Sequence, residues 1–180
     1  RLALITVKES AGKSAKSEVL LPRKTLNEVG RLIDDNTVVD FMQGENHLFF
    51  RTEGRLLISR KIDANFPAYE RVITKSNDKS IEFDRDRLAA AVKRVRLLSN
   101  ERSKAVRFVM GKDQVEITSS TPEVGEAHEV LPVEYSVGAM QICFNADYVD
   151  NFLSVVETES VLLEFKDEMS QAVMKPIGAD

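Results

Sequence analysis

Three stretches of this chain repeat in one register, and that repetition restricts the possible folds more than any other feature. They are Leu21-Pro22-Arg23-Lys24-Thr25-Leu26, Phe83-Asp84-Arg85-Asp86-Arg87-Leu88 and Phe144-Asn145-Ala146-Asp147-Tyr148-Val149. Each reads as the end of a strand, a polar or proline helix start, and then a helix. Apolar residues continue at helical spacing: Leu26, Val29, Leu32 and Ile33; Leu88, Ala91, Val92 and Val95; Val149, Phe152, Val155 and Val156. Asp84 and Asn145 suit N-caps, because a short side-chain oxygen accepts from the unpaired N–H groups of the first turn. Pro22 suits a helix start.

A β-branched or aromatic run follows each helix and predicts a strand: Thr37-Val38-Val39-Asp40-Phe41, Ala105-Val106-Arg107-Phe108-Val109 and Val161-Leu162-Leu163-Glu164-Phe165. Polar turns come next (Gln43-Gly44-Glu45-Asn46, Gly111-Lys112-Asp113, Lys166-Asp167-Glu168), then second strands over His47 to Thr52, Gln114 to Thr118 and Met169 to Met174. The first two units add a third strand, Arg55 to Ile62 and Gly125 to Leu131. The unit is β-α-β-β-β, about 60 residues long. The fold class is α+β with antiparallel sheets. Arg1 to Val7 resembles Arg55-Leu56-Leu57-Ile58-Ser59 and reads as the closing strand of an earlier unit. The third unit stops at Asp180 without its own closing strand, so the chain reads as cut from a longer array. The polar stretch from Thr74 to Ser80 is the candidate linker. The competing reading, three similar βα segments in one α+β domain, leaves unexplained why register, cap and hairpin recur together.

At −4 net, composition argues against a nucleic-acid partner, but the distribution of charge points the other way. From Arg85 to Lys104 there are seven basic residues and two acidic ones, which leaves −9 on the rest of the chain. The first helix opens with Arg23-Lys24 and carries Arg31, whereas the third has no Lys or Arg. Helix-borne cations on an acidic protein suit phosphate contact on one face and repulsion elsewhere. A solvated helix face is the plainer alternative. No aromatic residue is interleaved with these positions, so contact is expected to be sequence-independent and salt-sensitive, without base stacking.

Signs of catalysis are missing. The eight glycines are scattered singly, with no phosphate-cradling loop. His47 and His128 fall on predicted strands without a second ligand at metal spacing. Cys143, the single cysteine, excludes an internal disulfide, fits a reducing cytoplasm, and sits between Ile142 and Phe144 in what reads as core. Asp34-Asp35 and Asp167-Glu168 fall at turns. No apolar run reaches the roughly 20 residues needed to span a bilayer, and the opening Arg1-Leu2-Ala3-Leu4 shows no signal-peptide pattern.

With these residues in hand, the chain resembles the beta subunit of bacterial DNA polymerase III, the sliding-clamp family. Asp63-Ala64-Asn65-Phe66-Pro67-Ala68-Tyr69-Glu70-Arg71-Val72 looks like its Phe-Pro-x-Tyr-x-Arg-Val segment. Arg1-Leu2-Ala3, Leu97-Leu98-Ser99-Asn100-Glu101, and the helix start from Phe144-Asn145 to Tyr148-Val149 are similar to further family stretches, so the likeness covers nearly the whole chain. It implies a non-enzymatic ring with helices lining the hole and sheets outside. Residues 1–74 would be the second half of the middle domain, 75–80 a linker, and 81–180 the third domain lacking its last strand. Double-stranded DNA would meet Arg23, Lys24, Arg31, Lys93, Arg94 and Arg96 through its phosphates. Polymerase and clamp-loader subunits would insert short peptides into a groove lined by Arg1, Leu2, Pro67, Arg71, Val72, Asn145, Tyr148 and Met169. That groove ends in the family on a C-terminal strand that this chain stops short of, and Met169 stands where some relatives have a smaller aliphatic residue. Leu97 and Leu98 match the homodimer junction, and core packing is the open alternative for both. No cofactor or metal is implied. A peptide-binding adaptor with only incidental DNA contact is the alternative function.

Overall fold

A computed structural model describes residues 2–6 and 18–178. The chain divides into two compact units, one from Leu4 to Tyr69 and the other from Glu70 onward together with Leu2 and Ala3.

In the first unit, helix α1 (Arg23–Leu32) precedes strands β1 (Asp40–Gln43), β2 (His47–Thr52) and β3 (Arg55–Arg60). The strands form an antiparallel sheet in the order β1-β2-β3. Leu48, Phe50 and Thr52 alternate along β2 and are buried, so one face of the sheet is a core face. On that face Ser59 Oγ meets Thr25 Oγ1 of α1 at 2.6 Å. Four expectations fail before Tyr69. Leu2–Thr6, the described part of the proposed opening strand, carries no strand, and residues 18–22 ahead of α1 carry none either. The strand expected from Thr37 starts at Asp40 instead. Asp34 Oδ1 accepts from Asn36 N at 3.0 Å and Thr37 Oγ1 at 2.6 Å, and this local turn holds Thr37 off the ladder. The helix stripe is not buried as its spacing suggested: Thr25 is the buried residue of α1, while Leu26 and Ile33 are exposed. Periodicity tells which face can be covered, not what covers it.

The second unit holds one full repeat and a second that lacks the closing strand. The first is β4 (Lys79–Asp84), α2 (Arg85–Val95), one 3₁₀ turn (Arg96–Leu98), β5 (Ala105–Gly111), β6 (Gln114–Thr121) and β7 (Gly125–Pro132). The second is β8 (Met140–Asn145), α3 (Ala146–Leu153), β9 (Ser160–Phe165) and β10 (Val173–Ile177). Lys79 and Ser80, read as linker, belong to β4, paired with Phe165 and Glu164. Met169–Ala172, read as strand, lie outside β10, because Asp167 Oδ1 accepts from Met169 N and Ser170 N and folds the chain into a turn.

The two repeats lend each other their opening strands. β4 pairs with β9, giving a sheet in the order β10-β9-β4, and β8 pairs with β5, giving β7-β6-β5-β8. The loan is symmetric down to single bonds. Asp84 caps α2 by accepting from Arg87 N at 2.8 Å. Asn145 caps α3 by accepting from Asp147 N and Tyr148 N at 3.0 and 3.3 Å. One residue further on, Arg85 N donates to Glu159 O at 2.9 Å and Ala146 N to Lys104 O at 2.8 Å. Each helix start is thus fastened to the strand start of the other repeat. A single core results. Leu88, Val92 and Val95 of α2 and Val149 and Leu153 of α3 pack on Phe83, Val106, Phe108, Val161 and Leu163. The N-caps and the α2 stripe match what the sequence predicts, but in α3 the expected Val155 lies past the helix end and is exposed, while Leu153 is buried.

Candidate functional site

The cations divide into two groups once their partners are known. Arg23 and Lys24 lie exposed in the first turn of α1, where no acidic residue accompanies them. The helix dipole disfavours positive charge at an N-terminus by about 0.3–1 kcal/mol per group. Neither makes an ion pair among the described residues. Arg31, in the last turn, makes an exposed pair with Glu28 at 3.0 Å, an interaction of small worth in water. Helix α1 therefore presents a cationic surface that its own folding does not require.

Helix α2 is arranged the other way. Asp86 sits in its first turn and Lys93 and Arg94 in its last, as the dipole prefers. Arg94 grips Glu129 of β7 through two bonds, Nε to Oε1 at 2.5 Å and Nη2 to Oε2 at 3.0 Å. That pair raises the Arg94 pKa and lowers that of Glu129. Arg96 reaches α3, with Nη1 2.7 Å from Asp150 Oδ2 and Nη2 3.6 Å from Asp147 Oδ1. Lys104 Nζ sits 2.7 Å from Asp147 Oδ2, and the Asp147 carboxyl is lowered, first by this bond. Arg94 and Arg96, expected to face phosphates, are thus committed to carboxylates of their own unit. Lys93 is exposed and makes no ion pair among the described residues. The missed partners had one signal in the sequence: α3 carries two aspartates and no base.

Of the groove candidates, Asn145 and Tyr148 are brought together by the cap at the start of α3, with Tyr148 exposed. Asn145 Nδ2 also donates to Ser103 O at 3.2 Å, which fixes the cap against the segment after α2. Arg71 ends a 3₁₀ turn, Tyr69–Arg71, and Val72 beside it is exposed. Met169 is 94% exposed in the Asp167 turn, not on a strand. Leu2 is half-buried and groups with the second unit, whereas Pro67 belongs to the first. Arg1 lies outside the described residues. At the end of α2, Leu97 is 78% exposed, so core packing does not account for it, and Leu98 is half-buried. Ser119 Oγ donates to Val95 O at 2.6 Å and Thr121 Oγ1 to Leu98 O at 2.5 Å, which pins this helix end to β6.

Cys143 contradicts the sequence reading, because it is exposed. Strand period explains why: Ile142 is buried and Phe144 packs against the core, so Cys143 between them turns outward opposite Arg107. The two residues line a polar depression of about 250 Å³ with Thr118, Glu126 and His128. His128 bonds Glu116 through Nδ1 at 2.9 Å and approaches Glu126 through Nε2 at 3.4 Å, which raises its pKa above the usual 6.5. A raised folded-state pKa stabilises below the unfolded value and ceases to do so as pH rises through the folded value. His128→Gln is therefore expected to lower the urea midpoint at about pH 5.5 and to have little effect at about pH 8.5. Equal shifts at the two pH values would contradict it. Among the described residues no group of three His, Cys, Asp or Glu could hold a metal ion, and no helix is long and apolar enough to cross a membrane.

Comparison with known proteins adds the following. The family model described as "DNA polymerase III beta subunit, central domain" matches residues 1–68, and "DNA polymerase III beta subunit, C-terminal domain" matches 70–180. The beta sliding clamp of Pseudomonas putida is 34% identical over 181 residues, across 100% of this chain and 49% of the relative. That of Escherichia coli K12 is 36% identical over 162 residues, across 88% of this chain and 44% of the relative. The chain spans about half the length of the curated relatives it matches. Among solved structures, a DnaN sliding clamp from Pseudomonas aeruginosa bound to griselimycin superposes with a TM-score of 0.83 at 33% identity, over 90% of this chain and 44% of that one. A DNA polymerase III subunit beta from the same organism reaches 0.85, also at 33% identity, over 90% and 45%.

Proposed function

This chain belongs to the DNA polymerase III beta subunit family, and on that premise we propose that it works as part of a sliding clamp. The clamp is a non-enzymatic, homodimeric ring that encircles duplex DNA in the cytoplasm and tethers polymerase and clamp-loader subunits through short peptides. On this reading the first unit is the second half of the middle clamp domain, and the second unit is the third domain. The observation that supports it most is the match of the central and C-terminal domain models, in that order, along one chain. The exposed cations of α1 and Lys93 of α2 are the phosphate contacts. They read charge rather than sequence, so the ring slides. Arg1, Leu2, Pro67, Arg71, Val72, Asn145, Tyr148 and Met169 form the peptide groove, and Leu97 with Leu98 the dimer junction.

The test of encirclement is topological. Loaded onto nicked circular plasmid, the full-length protein is expected to stay bound through gel filtration at high salt and to leave once the plasmid is cut open. Equal retention on linear DNA with free ends would refute a ring. The groove has its own test with griselimycin, the ligand of the Pseudomonas aeruginosa clamp: Tyr148→Ala should weaken its binding at least about ten-fold.

A further inference from the structure

The sheet of the first unit has a second face that no part of this reading uses. Cross-strand register sets Met42 beside Phe49 and Phe49 beside Ile58, an apolar row across β1, β2 and β3, with Leu56 two residues from Ile58 on the same face. Met42, Leu56 and Ile58 are 48%, 51% and 53% exposed, and Phe49 is half-buried. Arg51, Arg60 and His47 border the row, with Asp40 at one corner. Neither Arg51 nor Arg60 makes an ion pair among the described residues.

Two comparisons inside the molecule make this face unusual. Aligned on the turn glycines Gly44 and Gly111, the sheet β5-β6-β7 has Glu116 where the first unit has Phe49, and His128 where it has Leu56. Met42 and Ile58 have Val109 and Val130 as counterparts there, so the apolar row is interrupted by polar side chains in one repeat and continuous in the other. Nor would another repeat cover it. In the second unit, two repeats join edge to edge by trading strands and bury only their helix-side faces. Arg107, His128 and Cys143 stay on the uncovered outer face there.

We propose that the outer face of β1-β2-β3 is a docking surface for an acidic, amphipathic segment of a partner protein. Its apolar side covers Met42, Phe49, Leu56 and Ile58, and its carboxylates meet Arg51 and Arg60. A contiguous exposed apolar patch with a polar rim is the usual mark of an interaction site, and methionine at its edge adapts to varied side chains. The two unpaired guanidinium groups select acidic over basic flanks. This surface lies on the opposite side of the sheet from α1, and its failure would leave the clamp reading untouched.

The test uses the full chain and two fluorescein-labelled synthetic peptides of about 16 residues. Both carry leucines on one helical face; one has glutamates on the other face, the second has lysines. The glutamate peptide is expected to bind at least about ten times more tightly than the lysine peptide. Ile58→Glu should cut that affinity about ten-fold or more, and Arg51→Glu with Arg60→Glu should reverse the preference. Both changes fall on exposed positions, so thermal unfolding should stay close to that of the unaltered chain. If Ile58→Glu fails to fold, Ile58→Thr gives the same ordering with a smaller step. Equal binding of the two peptides, or no effect at Ile58, overturns the proposal. So does Ile58-dependent binding to phosphatidylglycerol vesicles without peptide binding, or Ile58-dependent self-association in sedimentation, since each assigns the face to another occupant.

Discussion

Replacing Arg23, Lys24 and Arg31 together by glutamine is expected to flatten the salt dependence of duplex binding more than any other change to this chain. Every cation withdrawn from a phosphate takes roughly 0.9 off the slope of log affinity against log salt, so the triple variant should flatten it by up to about 2.7. At low salt, affinity should fall by one to two orders of magnitude, on the order of 1 kcal/mol for each cation replaced. The contrast comes from α2. Arg94 and Arg96 already face carboxylates, so they neutralise few phosphates and release few of the counterions condensed on the DNA. Replacing both members of each pair, as Arg94→Gln/Glu129→Gln and Arg96→Gln/Asp150→Asn, removes the cation without stranding an acid. These paired variants should leave the slope nearly unchanged. A fluorescent duplex titrated at several salt concentrations measures all of this. If the paired variants flatten the slope as much as the α1 triple does, the division between the helices is wrong. If no variant changes it, DNA binding through these helices is wrong.

The second large effect is on stability. Phe108 is fully buried, and its ring stands edge-on to Phe144 at 5.1 Å and to Phe83 at 6.4 Å. Those two residues occupy matching positions just ahead of α3 and α2, so one ring joins the two repeats. Phe108→Ala should cost about 3–5 kcal/mol, from forfeited transfer free energy and an unfilled cavity. Two edge-on ring pairs worth about 0.5–1.5 kcal/mol each disappear with it. Against a domain stability of roughly 5–15 kcal/mol this removes a large share. Urea unfolding measures it, with Val155→Ala, at an exposed position, as the neutral control. A loss under about 1 kcal/mol would show that the repeats do not depend on this ring.

What could be read from the sequence follows the range of the interactions. Asp84 and Asn145 were legible as caps because a cap is decided within three residues. The hairpins β5-β6 and β9-β10 were legible from alternation and turn residues, although β10 begins later than Met169 because Asp167 turns the chain first. The turn at Asp34 displaced β1 for the same reason, and in both places a side chain competes with the ladder for the backbone. The strand loan was not legible, since nothing local tells β4 to choose β9. The pairing of Arg94 with Glu129, 35 residues away, was likewise hidden, and with it the split among the cations. Cys143 was legible in principle: the alternation that turns Ile142 inward turns its neighbour out. Tyr148 and Asn145 stood out in the chain and lie together in the fold.

The reciprocal strand loan has a consequence for how such a domain could be inherited or cut. A single repeat would keep one bare ladder edge where it gives a strand and another where it receives one. Two identical repeats could satisfy each other by the same exchange, as a two-fold dimer of half-size chains. Joining them through the segment between β7 and β8 turns that association into a property of one polypeptide. Neither half can then be deleted without unpairing the other.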